Sequence, residues 1–176
     1  MLDVSINGID DVYKTIKFLK DRTEFRVRLA IEALLTEGYY IASYGFTNAL
    51  YSGTNDVKVL TPYWEGDTMI LKAEGDAVAF IEFGTGTNYY DYPDPSVYTK
   101  LGMDQHGDYG KGHGSQVRWW YKGEPGSNGR PKRHKDGTYD TVYSTSWGDP
   151  PARAMYDASK VLDKEHVVET IRRAFQ

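Results

Sequence analysis

Two places in the chain carry residue types able to do chemistry. Asp104, His106, Asp108 and His113 lie close together and offer carboxylate and imidazole ligands of the kind that bind a divalent ion. Their spacing matches no metal motif, and Gly107, Gly110 and Gly112 between them favour a solvated loop over a metal-dependent hydrolase. The second place is Glu82, set between Ile81 and Phe83 and followed by Gly84, Thr85 and Gly86. A carboxylate there is costly to bury unless amides or a cation such as Arg153 satisfy it. Glu65 or Asp76 could complete a hydrolytic pair with Glu82, but a chain with 25 acidic residues offers many such pairs by composition alone. The sequence has no nucleophile elbow, phosphate loop, dinucleotide fingerprint or zinc-protease helix, and Gly-Thr-Gly lacks the lysine of a phosphate loop. His134 and His166 read as surface residues. No catalytic residue, cofactor or metal is therefore expected.

The elements that must position Glu82 come from a chain of 176 residues, enough for a single domain with a substantial core. A net charge of −4 argues against a domain built mainly to grip nucleic acid. The absence of cysteine removes disulfides, thiolate metal sites and cysteine nucleophiles together. No apolar run reaches the ~18 residues needed to cross a bilayer, and the first residues lack a signal-peptide pattern, so a soluble protein with no membrane partner is expected.

Residues 2–6 alternate as a half-buried strand, and Ile9, Val12, Tyr13 and Ile16 fall on one face of a short helix. Thr23 is placed to cap a long, broadly apolar helix over residues 23–49, with Gly38 or Gly45 as bends. Residues 56–61 and 68–73 read as a hairpin with a longish loop. Residues 78–86 fit either a strand or a short helical turn. From Asp149, read as an N-cap before Pro150 and Pro151, a last helix runs to about residue 174 with a bend near Asp163. The expected fold is α+β: a small antiparallel sheet packed on a long N-terminal helix and a C-terminal helix, in one domain over residues 1–176.

Residues 87–149 form a long insertion in which much of the chain's 18 Gly and 15 Tyr gathers. Residues 116–122 and 138–146 are expected to pair as strands across a turn-rich segment. Trp119, Trp120 and Tyr121 offer contact area at low entropic cost. Arg130, Lys132 and Arg133 form the one basic concentration, suited to an acidic partner or to passing contact with phosphates.

The order of these pieces resembles the tail-component family of long-tailed bacteriophages, the neck and tail-completion proteins of the head–tail junction. Phe80, Ile81, Glu82, Phe83, Gly84, Thr85 and Gly86 match that family's Val-Glu-Phe-Gly-Thr-like core. Pro151, Arg153 and Met155 match its Pro-x-Arg-Pro-Phe-Met-like helix start, with Ala154 departing from the pattern. The resemblance implies a structural, non-enzymatic subunit of the virion neck or upper tail, assembled in the host cytoplasm. It implies a homo-oligomeric ring, six subunits being the usual number, joined to the connector and to the tail terminator or tail tube, with genomic DNA passing through. A separate reading is a tail-associated binding module that turns the aromatic insertion toward carbohydrate or a host surface.

Overall fold

Between Leu19 and Thr23 the chain reads Lys-Asp-Arg, with no glycine or proline to stop a helix. In the computed structural model α1 accordingly runs unbroken over Ile9–Thr47, 39 residues or about 58 Å. The two expected helices are one. Thr23 is not a cap, because its hydroxyl donates to the Leu19 carbonyl one turn back (2.8 Å), as a threonine inside a helix does. The structure describes residues 9–86, 92–94, 96, 100 and 118–176; the expected strand over residues 2–6 and the group Asp104, His106, Asp108 and His113 lie outside them.

The two halves of α1 live in different surroundings. Ala30, Leu34, Gly38, Ala42 and Phe46 recur every four residues and make one buried stripe. Val12, Tyr13, Ile16, Phe18, Leu19 and Phe25, on the N-terminal half, stand in solvent.

Against the buried stripe lies a hairpin, β1 (Lys58–Glu65) and β2 (Thr68–Glu74), antiparallel and closed by Gly66 and Asp67. The strand is longer and the loop shorter than the sequence suggests, because Pro62 sits inside β1. Leu60 pairs with Lys72 and Tyr63 with Ile70, so one extra residue bulges there, where proline's missing amide does no harm. Trp64 fastens the hairpin to α1: its indole N–H donates to Glu32 (2.9 Å) and Arg28 stacks on its ring (4.7 Å).

Asp56 then fixes the entry to α2 (Val78–Phe83), which resolves the strand-or-helix alternative as helix. Its carboxylate accepts the Ala77 and Asp76 amides, both at 2.9 Å. Those bonds, the Ala77 one foremost, hold its carboxyl below the ordinary value of 3.8.

The insertion contains a second sheet, β3 (Trp119–Lys122), β4 (Arg130–Arg133) and β5 (Tyr139–Ser146), in the antiparallel order β3-β5-β4. The strand pair expected from sequence is present, and β4 is an addition taken from the presumed turn. The last segment starts later than expected and in three pieces: α3 (Ala154–Ser159), a 3-10 turn (Lys160–Leu162) and α4 (Lys164–Ala174). The bend falls at Asp163, whose ψ of 140° is not helical. The fold is thus mixed α+β, with a long N-terminal helix, small antiparallel sheets and C-terminal helices.

Phe46, Ala77, Ile81 and Ala154 form the centre where α1, α2 and α3 meet. The approach of α1 to α3 is set by Gly45, since a Cβ there would lie 2.7 Å from the Ala154 Cβ and 3.0 Å from its Cα. At Gly38 a Cβ would meet only the flexible end of Leu71 at 3.3 Å, along with wider contacts.

Gly45→Leu is therefore expected to cost about 1–3 kcal/mol in urea denaturation, whereas Gly38→Ala stays within about 1 kcal/mol of wild type as helix propensity offsets a small shift. A depressed folded carboxyl adds stability that is complete above its unfolded pKa and is lost as pH falls through its folded value. The urea midpoint should accordingly fall less steeply below about pH 4 in Asp56→Asn than in wild type.

Candidate functional site

The two short motifs, far apart in sequence, are in direct contact. Glu82 is buried at 3 % exposure. Its Oε2 accepts the Met155 amide (2.9 Å), and its Oε1 accepts the Tyr156 amide (3.0 Å) and the Tyr92 hydroxyl (2.9 Å). Met155 and Tyr156 lie in the first turn of α3, where amides have no partner within the helix. Glu82 is therefore the cap of a helix that begins 72 positions later in the chain, at Ala154.

The contact runs both ways. The Ala152 and Arg153 amides donate to the Ile81 and Glu82 carbonyls, at 2.8 and 3.2 Å, which satisfies the end of α2 with the approach to α3. Of the partners open to Glu82, amides rather than the Arg153 cation meet its carboxylate, and Arg153 joins through its main chain. Arg153 stands at the N-cap position with φ 57°, and its own side chain caps nothing there. Tyr92 braces the joint with its ring edge-on to Phe83 (4.8 Å) and Tyr156 (5.6 Å).

Asp149 does not cap the helix as expected from Asp-Pro-Pro. The helix starts after the prolines, and Asp149 is instead the anchor of a second buried cluster. Thr85 and Asp149 exchange main-chain bonds (2.9 and 3.1 Å), and the Thr85 hydroxyl donates to Asp149 Oδ2 (2.9 Å). Oδ1 accepts from the Ser52 hydroxyl (2.6 Å) and the Asn128 amide (3.0 Å). Ser52 Oγ also lies 2.7 Å from Ser146 Oγ. A carboxylate only accepts, so the Ser52 proton points to Asp149 and Ser146 must donate to Ser52. Ser146 in turn accepts the Gly148 amide at 3.0 Å.

Glycine is required on this strip. At Gly84 (φ 76°) a Cβ would sit 2.7 Å from the Asp149 carbonyl oxygen, and at Gly86 (φ 82°) it would meet Gly148 and the Trp119 ring. Phe80 is half-buried on α2, and Pro151 closes over Gly84.

Ser52, Ser146 and Asp149 are at most 3 % exposed, so the two hydroxyls and the carboxylate are bonded within the cluster and closed to a substrate. Among the described residues no group of three His, Asp or Glu is placed to hold a metal ion, and no helix there is long and apolar enough to cross a membrane.

The expected contact residues divide between the two faces of the second sheet. Trp119 points inward to Gly86, and the Tyr121 hydroxyl donates to the Ser52 carbonyl; burial pushes that hydroxyl above its ordinary value, which keeps it a donor. Trp120, Arg130 and Lys132 lie on the outer face, and Arg133 pairs with Tyr139 at the sheet's end. Sequence reasoning missed Tyr92, Ser52 and Asn128, which carry no local signal. It also missed Arg118 and Lys122, for which the alternation Arg-Trp-Trp-Tyr-Lys is a legible signal.

No protein-family model matches the chain, and no similar protein was found among curated proteins or solved structures.

Both Glu82 oxygens accept, so Glu82→Gln turns an NH2 toward a donor and rescues little. Glu82→Ala and Glu82→Gln should each lose about 2–4 kcal/mol by urea denaturation, with Tyr92→Phe losing about 1 kcal/mol. Unchanged midpoints in both Glu82 variants would refute the capping role.

Proposed function

We propose that this chain is a structural subunit of the neck or upper tail of a long-tailed bacteriophage, acting in tail completion or head–tail joining. It assembles into a ring, six subunits being the number the family resemblance implies, and genomic DNA passes through. The observation that carries the assembly reading is the N-terminal half of α1. A helix in a protein gains most of its stability from packing an apolar face, yet Val12, Tyr13, Ile16 and Leu19 lie exposed along one side of this one. At the other end of α1, Tyr40 and Tyr44 stand exposed one turn apart and line a shallow groove with Ile41, Thr47 and Asn48. In a closed ring the two sides of a subunit must complement each other. A helix arm on one side and a tyrosine-lined groove further along supply two unlike surfaces for such contacts.

The virion assignment itself rests on the resemblance, and the direct contact between residues 80–86 and residues 151–155 supports treating the two motifs as one unit. Neighbours in the particle are then a connector above and a tail terminator or tail tube below.

Native mass spectrometry of the full chain should give a closed oligomer that Ile16→Glu with Leu19→Glu converts to monomers without lowering the melting temperature of the subunit. A wild-type monomer at all concentrations would overturn the ring. In particles lacking the chain, electron microscopy should show filled heads and tails left unjoined, and normal infectious particles would overturn the neck assignment.

A further inference from the structure

The outer face of the second sheet has a composition unlike the rest of this acidic chain. Side chains paired directly across antiparallel strands share a face. Trp120, Thr145 and Arg130 are aligned across the sheet in that way, and Lys122 is paired with Tyr143. Ring contacts place the others on the same side: Arg118 lies 4.6 Å and Arg130 5.8 Å from the Trp147 ring centre, and Lys132 lies 4.2 Å from Trp120 and 5.5 Å from Tyr143. The face therefore sets cations from β3 and β4 against the rings of Trp120, Tyr143 and Trp147. Trp120, Tyr143 and Trp147 keep 59 %, 44 % and 41 % exposure there, so nothing within the described chain covers them.

Among the described residues, Arg118, Arg130 and Lys132 form no salt bridge, and the acid whose charge reaches this face is Asp140, which attracts Lys132. Its carboxylate is shared, accepting the Val142 and Tyr143 amides (2.8 and 3.1 Å) with His134 at 3.5 Å, so it offsets the charge of the face only in part. Arg118, Arg130 and Lys132 have ring faces for neighbours, which fix their heads in position without neutralising them. Such a surface calls for an anionic partner. Two guanidinium groups suited to paired contacts with phosphate oxygens, on an open sheet with exposed rings, favour a phosphate-bearing chain with bases to stack over a carboxylate-bearing one.

We propose that the outer face of β3, β5 and β4 binds a nucleic-acid strand, through its phosphates and by stacking on Trp120, without reading sequence. The net charge of −4 confines attraction to this face and keeps it weak and salt-sensitive, which lets a strand slide. The proposal does not depend on ring assembly, since it concerns a surface complete within one subunit.

The test is fluorescence anisotropy of the full chain with a labelled thymidine oligonucleotide of about 20 nucleotides, between about 50 and about 200 mM salt. Wild type should bind with a log–log salt slope of about −2 to −3, from three or four phosphates neutralised on a single strand. Arg130→Gln with Lys132→Gln should reduce that slope by about 1.4. Trp120→Leu should weaken the oligonucleotide about fivefold, and a duplex of the same length less. Lys14→Gln with Lys17→Gln, on the exposed half of α1, should change nothing. These side chains are on the surface, so unchanged melting confirms that each variant is folded. Absence of binding at the lowest salt overturns the proposal. So does binding that is indifferent to Trp120 and displaced equally by poly-glutamate, which assigns the face to an acidic protein instead.

Discussion

The fold depends on one carboxylate meeting two amides. A helix of six residues has little stability of its own, and α3 lacks a cap from its own neighbourhood because Arg153 occupies that position in a left-handed conformation. Glu82 supplies the missing acceptors from α2, and the amides in return make a buried carboxylate affordable. Neither element is satisfied without the other. The core residues Ile81 and Ala154, which belong to these two elements, are brought together by the same contact.

The strip that follows Glu82 extends this joint into the insertion. Gly84 and Gly86 let the backbone of residues 84–86 lie directly on that of residues 148–151, and Thr85 ties it to Asp149. Asp149 then gathers Ser52 from the end of α1's trailing segment and Asn128 from the loop between β3 and β4. The result is a seam of buried hydrogen bonds that joins the segment after α1, the end of α2, the second sheet and the start of α3. Because every member is satisfied by another, a buried polar seam of this kind rigidifies rather than weakens the joint. The second sheet can carry an exposed outer face because its inner face, through Trp119 and Tyr121, is fixed to this seam.

Much of this was legible locally. The α+β class, the hairpin, the β3–β5 pair and the bend at Asp163 all follow from periodicity and turn residues. Glu82 itself is conspicuous as an acid in an apolar run, and the need for amides or a cation follows from its burial cost. What the sequence hides is reach. Asp149 before two prolines has the local form of a cap, but the capping acid lies on another helix, and no local pattern encodes that. Thr23 likewise has the form of a cap, yet nothing near it breaks the helix, and a threonine inside a helix can bond backward instead. β4 is obscured because Arg-Pro-Lys-Arg has no apolar alternation; it is a strand because β5 offers it an edge. The alternation around Trp119 and Trp120, by contrast, was available as a two-sided strand, one side for the core and the other for solvent.

The proposed assembly role draws on what this joint leaves free. With α2, α3 and the second sheet fastened together, the surfaces left uncovered among the described residues include the N-terminal half of α1, the groove at Tyr40 and Tyr44, and the outer face of β3, β5 and β4. An apolar arm and a cationic, aromatic face suit a protein whose work is contact with other macromolecules. The most direct test of the central claim is amide hydrogen exchange at Met155 and Tyr156 in the native protein. First-turn amides ordinarily exchange readily, having no helical partner. Glu82 should protect both to the level of interior α1 amides such as that of Ala42; rapid exchange at the two positions would contradict the account.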